Sequence, residues 1–221
     1  MSGATERLIE RLAAEAEPVH RLRPPALRAA LWLLAVAAVA GMAIAGFSDL
    51  DVFTRRAQDP KLVLDMIATL VTGITAVLAA FELSLPDRAR AWALLPLPPL
   101  AAWIATSGYN CYRHWITVGP DGWELGESTH CFRFILSVSV PLGLTLWLLL
   151  RRAQPLAPAR VAAVGGLGVA AIAACLLQFF HPFDVTVMDL SVHAVAVAIV
   201  IAVASLWARW SQGRGSAAAP P

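Results

Sequence analysis

Six stretches of this chain run almost without charge, separated by short polar intervals: 29–47, 62–81, 91–107, 134–150, 161–180 and 190–208. A helix needs about 20 mostly apolar residues to cross the hydrocarbon core of a bilayer, and each run approaches that length. The pattern predicts an all-α fold, a polytopic bundle of six transmembrane helices spanning residues 29–209. Asp65 is the one charged residue inside the second run. The third run carries Pro96, Pro98 and Pro99, which predicts a kinked or tilted span. Between the third and fourth runs lies the one long polar interval, residues 108–133, and a short tail at 210–221 is expected to be disordered.

A different periodicity precedes the first span. Leu8, Ile9, Leu12 and Ala13 recur at helical spacing, opposed by Glu6, Arg7, Glu10, Arg11 and Glu15. Pro18 ends the pattern, and Pro24–Pro25 stiffens the junction with the membrane. Residues 1–28 therefore read as a segment built around a short amphipathic helix. Two readings fit it: a helix resting on the bilayer surface, or one that lays a narrow apolar stripe, Leu8, Ile9 and Leu12 with Arg11 beside it, into a groove on a soluble partner.

Composition agrees with the spans. The chain of 221 residues is 58% hydrophobic and 14% charged, with a mean hydropathy of +0.66. An ordinary soluble domain carries roughly a quarter charged residues. The net charge of +2 is small and scattered, which gives no footprint for nucleic acid. The positions of the basic residues are more informative, because short cytoplasmic loops retain an excess of Lys and Arg. Arg7, Arg11, Arg21, Arg23, Arg28, Arg88, Arg90, Arg151, Arg152, Arg160, Arg209 and Arg214 fall on one side of a six-span topology. Arg55, Arg56, Lys61, Arg113 and Arg133 fall on the other. This asymmetry predicts both termini in the cytoplasm of a bacterial inner membrane, with 108–133 facing outward. The first 28 residues lack the apolar stretch of a cleavable signal, so the first span is expected to act as an uncleaved anchor.

The outward interval holds the candidate chemistry. Cys111 and Cys131 stand near its two ends, and a disulfide between them would close a loop of about twenty residues, worth about 3 kcal/mol in the chain-entropy model. The pair reads either as a structural staple or as a thiol switch, since reactivity depends on thiol pKa and exposure rather than spacing. His114 and His130 beside them offer a weaker metal-site reading, but His130 directly precedes Cys131 and the usual two-to-four residue gap between ligands is missing. Asp65, His181, Asp189 and His193 form a second group, all at the outward ends of spans. Asp189 and His193 are four residues apart on one predicted helix and share a face. An ionisable residue within a span is a functional candidate, and near the boundary a structural polar cluster is an equal alternative.

Enzyme signatures are missing. Gly165-Gly166-x-Gly168 lies in an apolar span and reads as a close helix contact rather than a phosphate loop. There is no C-x-x-C, no local nucleophile motif and no clear internal repeat, and no cofactor is expected.

Taken in order, several stretches resemble the NrsF-type anti-sigma factors, six-span membrane regulators of extracytoplasmic-function sigma factors. These are Leu8-Ile9-x-x-Leu12-Ala13, Pro18-Val19, Arg21-Leu22-x-Pro24-Pro25, Asp59-Pro60 with Asp65, and Phe81-x-Leu83-Ser84-x-Pro86. Leu95-Pro96-Leu97-x-Pro99-Leu100, the two cysteines, Gly165-Gly166, His181 and His193 continue the resemblance along essentially the whole chain. It implies a negative regulator rather than an enzyme. The N-terminal segment would bind the sigma factor, and Cys111 and Cys131 would be needed for the response to the signal, which the reactivity of thiols leads us to expect is oxidative or metal stress. The competing expectation is a membrane redox or metal-handling protein working through the Cys/His loop.

Overall fold

The computed structural model describes residues 3–15, 22–118, 125–180 and 187–217, and every regular element in them is helical. Eight α-helices follow in chain order: α1 (Gly3–Glu15), α2 (Pro25–Phe47), α3 (Leu50–Arg56), α4 (Pro60–Leu83), α5 (Leu97–Val118), α6 (Leu125–Leu150), α7 (Pro158–Leu177) and α8 (Val187–Ala217). A 3-10 turn at Arg90–Leu94 leads into α5, and a second at Arg151–Ala153 follows α6. Among the described residues, five stretches could cross a membrane by length and composition: α2, α4, α7, Thr129–Ala153 (most of α6 with the turn after it) and Leu190–Ser211 of α8.

Helix α5 is not among those five, which revises the expected count of six. Its prolines do not kink a span but start a helix. Pro98 and Pro99 occupy the first turn, where a missing N–H removes no intrahelical bond, and Pro96 precedes it. The helix then runs well past the expected end at Ser107 and takes in Arg113 and its polar neighbours, which dilutes its apolar character. The same logic moves other boundaries. Pro25 is the first residue of α2, so the Pro24–Pro25 pair opens that helix rather than only stiffening its approach. Asp49 caps the unanticipated α3 by accepting from the Val52 amide at 3.0 Å, and Asp59 caps α4 by accepting from Lys61 at 2.9 Å. Helix α8 continues to Ala217, through residues expected to form a tail.

Helix α7 is the centre of the bundle and packs against α4, α6 and α8. Its glycines show how one helix serves three neighbours. A Cβ on Gly165 would lie 3.2 Å from Leu146 of α6, one on Gly166 3.2 Å from the Cα of Ile201 of α8, and one on Gly168 2.9 Å from Val77 of α4. Gly168 faces Gly73 across the α4 crossing, where a Cβ on Gly73 would stand 2.8 Å from Ile172. Without a hydrophobic drive between helices in lipid, close backbone approach is what makes such contacts favourable. The close-contact reading of Gly165-Gly166-x-Gly168 is therefore borne out. On α4, Ala68, Thr72, Ala76 and Ala80 recur every fourth residue and are buried.

Helix α2 lies at the edge and exposes Leu34, Val39 and Met42. Side chains near its start tie it on. Arg28 donates to the Leu149 carbonyl and stacks 5.1 Å over the Phe81 ring, and Trp32 Nε1 donates to Thr145 Oγ1 at 3.1 Å. The outer surface of the bundle remains largely apolar, with Ile104, Val140, Val203 and Leu206 exposed.

Candidate functional site

The buried carboxylate of Asp65 gathers polar groups from several helices. Asp65 sits in the second turn of α4 and is 6% exposed. Oδ1 accepts from Thr106 Oγ1 at 2.8 Å and from Ser107 Oγ at 2.7 Å, both on α5. His193 of α8 lies close enough to act on Asp65 electrostatically, and Cys175 of α7 feels the same carboxylate. The Cys175 thiol donates to the Met66 carbonyl at 3.9 Å. Four helices thus converge on one acidic side chain. A carboxylate accepting two hydroxyl donors is well satisfied, and this explains why a charge-bearing residue is tolerated at this depth.

These bonds also fix the height of α5. Ser107 is ten residues from Leu97, and Asp65 is eighteen from Leu83, so at 1.5 Å per residue α5 is displaced along the bundle by about 12 Å relative to α4. The displacement carries the C-terminal part of α5 beyond the start of α4. Asp65→Ala should strip both hydroxyls of their shared acceptor and lower stability by about 1–2 kcal/mol, whereas Asp65→Asn keeps an acceptor oxygen and should recover most of it. Thermal unfolding of the purified variants would show the difference; equal midpoints for wild type and Asp65→Ala would remove the docking role.

Cys111 lies one turn beyond Ser107 on α5, at i+4, and therefore on the same face. It is buried at 6% exposure. Cys131, 1% exposed, packs on α6 against Ile135, with Ala173 and Leu177 of α7 and Ala196 of α8 in the same cluster. Both carry thiols. Neither sits in a loop, because α5 continues to Val118 and α6 begins at Leu125. Cys111 is seven residues before the end of α5, and Cys131 is six after the start of α6. Helix α8 packs beside both α5 and α6, and Ala196 and His193 are three apart on it. The thiol pair and the Asp65 group are therefore two halves of one layer at one end of the bundle.

The other expected residues fall as follows. His130 is exposed on α6, His114 lies on α5 with its side chain outside the described residues, and His181 is itself outside them. Asp189 belongs to α8, one turn before His193, but its side chain is also outside the described residues. Among the described residues, no group of three or more His, Cys, Asp or Glu side chains could hold a metal ion. Thr106 and Ser107 were not anticipated from the sequence. The available signal was their position in a polar-tipped run following the prolines, but only the displacement of α5 shows which carboxylate they meet.

At the other terminus, α1 has no buried residue, and Leu8, Ile9 and Leu12 are 57%, 51% and 60% exposed. Arg11 is exposed beside them. Among the described residues nothing covers this apolar stripe, and an exposed apolar patch of this kind is a candidate contact surface.

Comparison with known proteins gives one family. The profile of NrsF, described as negative regulator of sigma F, matches residues 12–211, most of the chain. No curated protein and no solved structure matches.

Proposed function

Since the chain belongs to the NrsF family of negative regulators of sigma F, we propose that it is a membrane-bound anti-sigma factor that holds an extracytoplasmic-function sigma factor through α1. The observation that carries this reading is the exposed stripe Leu8, Ile9 and Leu12, at i, i+1 and i+4 on one helix. An amphipathic helix laid in a groove is a recurrent mode of protein recognition and uses such anchors. The family match begins at Leu12, so the first two anchors belong to a part of the chain where the assignment rests on the exposed stripe itself. The apolar bundle is the membrane anchor, with both termini in the cytoplasm and the Asp65–thiol layer toward the periplasm of an inner membrane, in keeping with the distribution of arginines. As a regulator of this type the protein performs no catalysis and binds no nucleic acid itself.

The thiol pair is the sensor in this proposal. Oxidation by a peroxide-class oxidant would join Cys111 and Cys131, the two thiols giving up two protons and two electrons as the oxidant is reduced to water. A disulfide needs Cα atoms within about 7 Å, and α5 packs on α4 and α8 rather than on α6, so forming one would draw α5 toward α6. A thiol-binding metal would act on the same pair by displacing the protons. Either change shifts α5 against α4, and the stress signal lowers the affinity of α1 for the sigma factor.

Two measurements test this. The full-length protein purified from mild detergent should carry a sigma factor with it, and a preparation that instead brings a bound metal, haem or quinone would favour a redox or metal-handling role. Cys111→Ser and Cys131→Ser should leave repression intact but abolish induction by oxidant; normal induction in both variants would sink the sensor role.

A further inference from the structure

A cleft of about 470 Å3 runs along the bundle between α6 and α8, with α7 as its floor. Leu136, Ser139, Gly143 and Leu150 line it from α6, and Val203 and Trp207 from α8. From Leu136 to Leu150 it extends fourteen residues, about 21 Å, longer than the roughly 15 Å of one bilayer leaflet. The chain's own side chains leave it unfilled. A Cβ on Gly143 would meet nothing within 4 Å, and Ser139, 4% exposed, has a buried hydroxyl with no hydrogen-bond partner.

One mouth of this cleft is basic on all three helices. Leu150 is followed by Arg151 and Arg152, Trp207 by Arg209 two residues on, and Ala162, also in the lining, is preceded by Arg160 two residues earlier. All four arginines are exposed. Between Glu127 and Asp184, and again after Asp189, the sequence has no acidic residue. Glu82, at the same end of the bundle on α4, is engaged by Arg88 at 3.1 Å. Arg152 instead feels a second guanidinium, Arg28. An apolar slot of acyl-chain length that opens on four exposed arginines calls for a ligand with a long apolar chain and an anionic head.

We propose that the α6–α8 cleft binds an anionic phospholipid, its acyl chain along Gly143 and Val203 and its phosphate among Arg151, Arg152, Arg160 and Arg209. The site rests on the reading that the bundle spans a membrane. It accounts for a cleft that ordinary close packing of α6 on α8 would have closed, and it gives these arginines a role beyond setting orientation during insertion. Basic pockets at the cytoplasmic ends of helices select anionic head groups because each arginine near the surface adds attraction for phosphate.

The test uses the full-length protein reconstituted in bilayers of equal parts phosphatidylglycerol and phosphatidylcholine, then recovered in mild detergent with its retained lipid quantified. Phosphatidylglycerol should be enriched several-fold over the bulk ratio. Arg151→Gln with Arg152→Gln should cut that enrichment severalfold and bring the retained lipid back toward the bulk ratio. Gly143→Leu should lower total lipid retained per protein, and its unfolding midpoint, expected close to wild type because a Cβ there has open space, separates lost binding from lost folding. Retained lipid in the bulk ratio, or retention unchanged by both variants, would overturn the proposal. Failure of the wild-type protein to enter bilayers at all would overturn the membrane reading beneath it.

Discussion

Replacing Leu8 and Leu12 together by aspartate should abolish retention of the sigma factor at the membrane and leave its target genes expressed without stress. Both side chains are more than half exposed and stand one helical turn apart, so nothing in the protein itself is disrupted by the change. In the proposed complex, what changes is the fit of α1 to the partner's groove. Interface anchors of this kind contribute on the order of 2 kcal/mol or more each, and two of them convert to a loss of roughly a thousandfold in affinity. An unpaired carboxylate placed against apolar walls adds a desolvation penalty to that loss. Arg11→Gln should act differently, slowing association and weakening its salt dependence while changing dissociation little, as expected of a charge at the rim of an interface. Fractionation of cells expressing full-length variants, followed by detection of the sigma factor in membrane and soluble fractions, reads both effects. Full retention in the Leu8→Asp, Leu12→Asp variant would move the docking surface away from α1.

Gly168→Leu should have the largest effect on the bundle itself. Its Cβ would stand 2.9 Å from Val77 Cγ2, 3.1 Å from the Gly73 carbonyl and 3.1 Å from the Val77 amide nitrogen. Two of those three obstacles are backbone, so no rotamer change relieves them and α4 must move off α7. Overpacking a fitted core costs about 1–3 kcal/mol, and separating the crossing also loses the contacts of Ala76, Val77 and Ile172 around it. The expected outcome is a loss of the cooperative unfolding transition or a fall in its midpoint well beyond that of Asp65→Ala. Gly41→Ala on α2, where a Cβ meets nothing within 4 Å, should leave the transition in place. Wild-type melting of Gly168→Leu would show that the α4–α7 crossing tolerates a wider gap than its geometry implies.

Much of the candidate site was legible before any coordinates. Asp65 and His193 stood out because an ionisable residue in an apolar run has to find partners, and the fold brings those two together. Cys111 and Cys131 stood out as thiols flanking a polar interval, yet the helices run through both positions. The aromatic and polar character of that interval concealed the helix: Tyr109, Tyr112, Trp115 and Ile116 remain exposed on α5 while Ser107 and Cys111 turn inward, so one face of an amphipathic helix resembled a loop. The prolines misled for a related reason. Their effect depends on whether they fall in the first turn or the interior of a helix, and the register of the turn before α5 decides that.

The sequence alone determined that the chain forms helices, and roughly where. In an apolar run every backbone N–H and C=O must be satisfied within its own segment, and that requirement is local. It could not determine which helix lies in the middle. Helices α2, α7 and α8 are about equally apolar, yet α7 is mostly buried while α2 and α8 are mostly exposed. Apolar composition has no preferred face when lipid and protein interior are equally welcoming, so the ordinary amphipathic signal is lost. Only the tertiary structure decides the matter, through glycines that let α7 approach α4, α6 and α8 closely at once, and through one carboxylate that fixes α5 at the height where Ser107 can reach it.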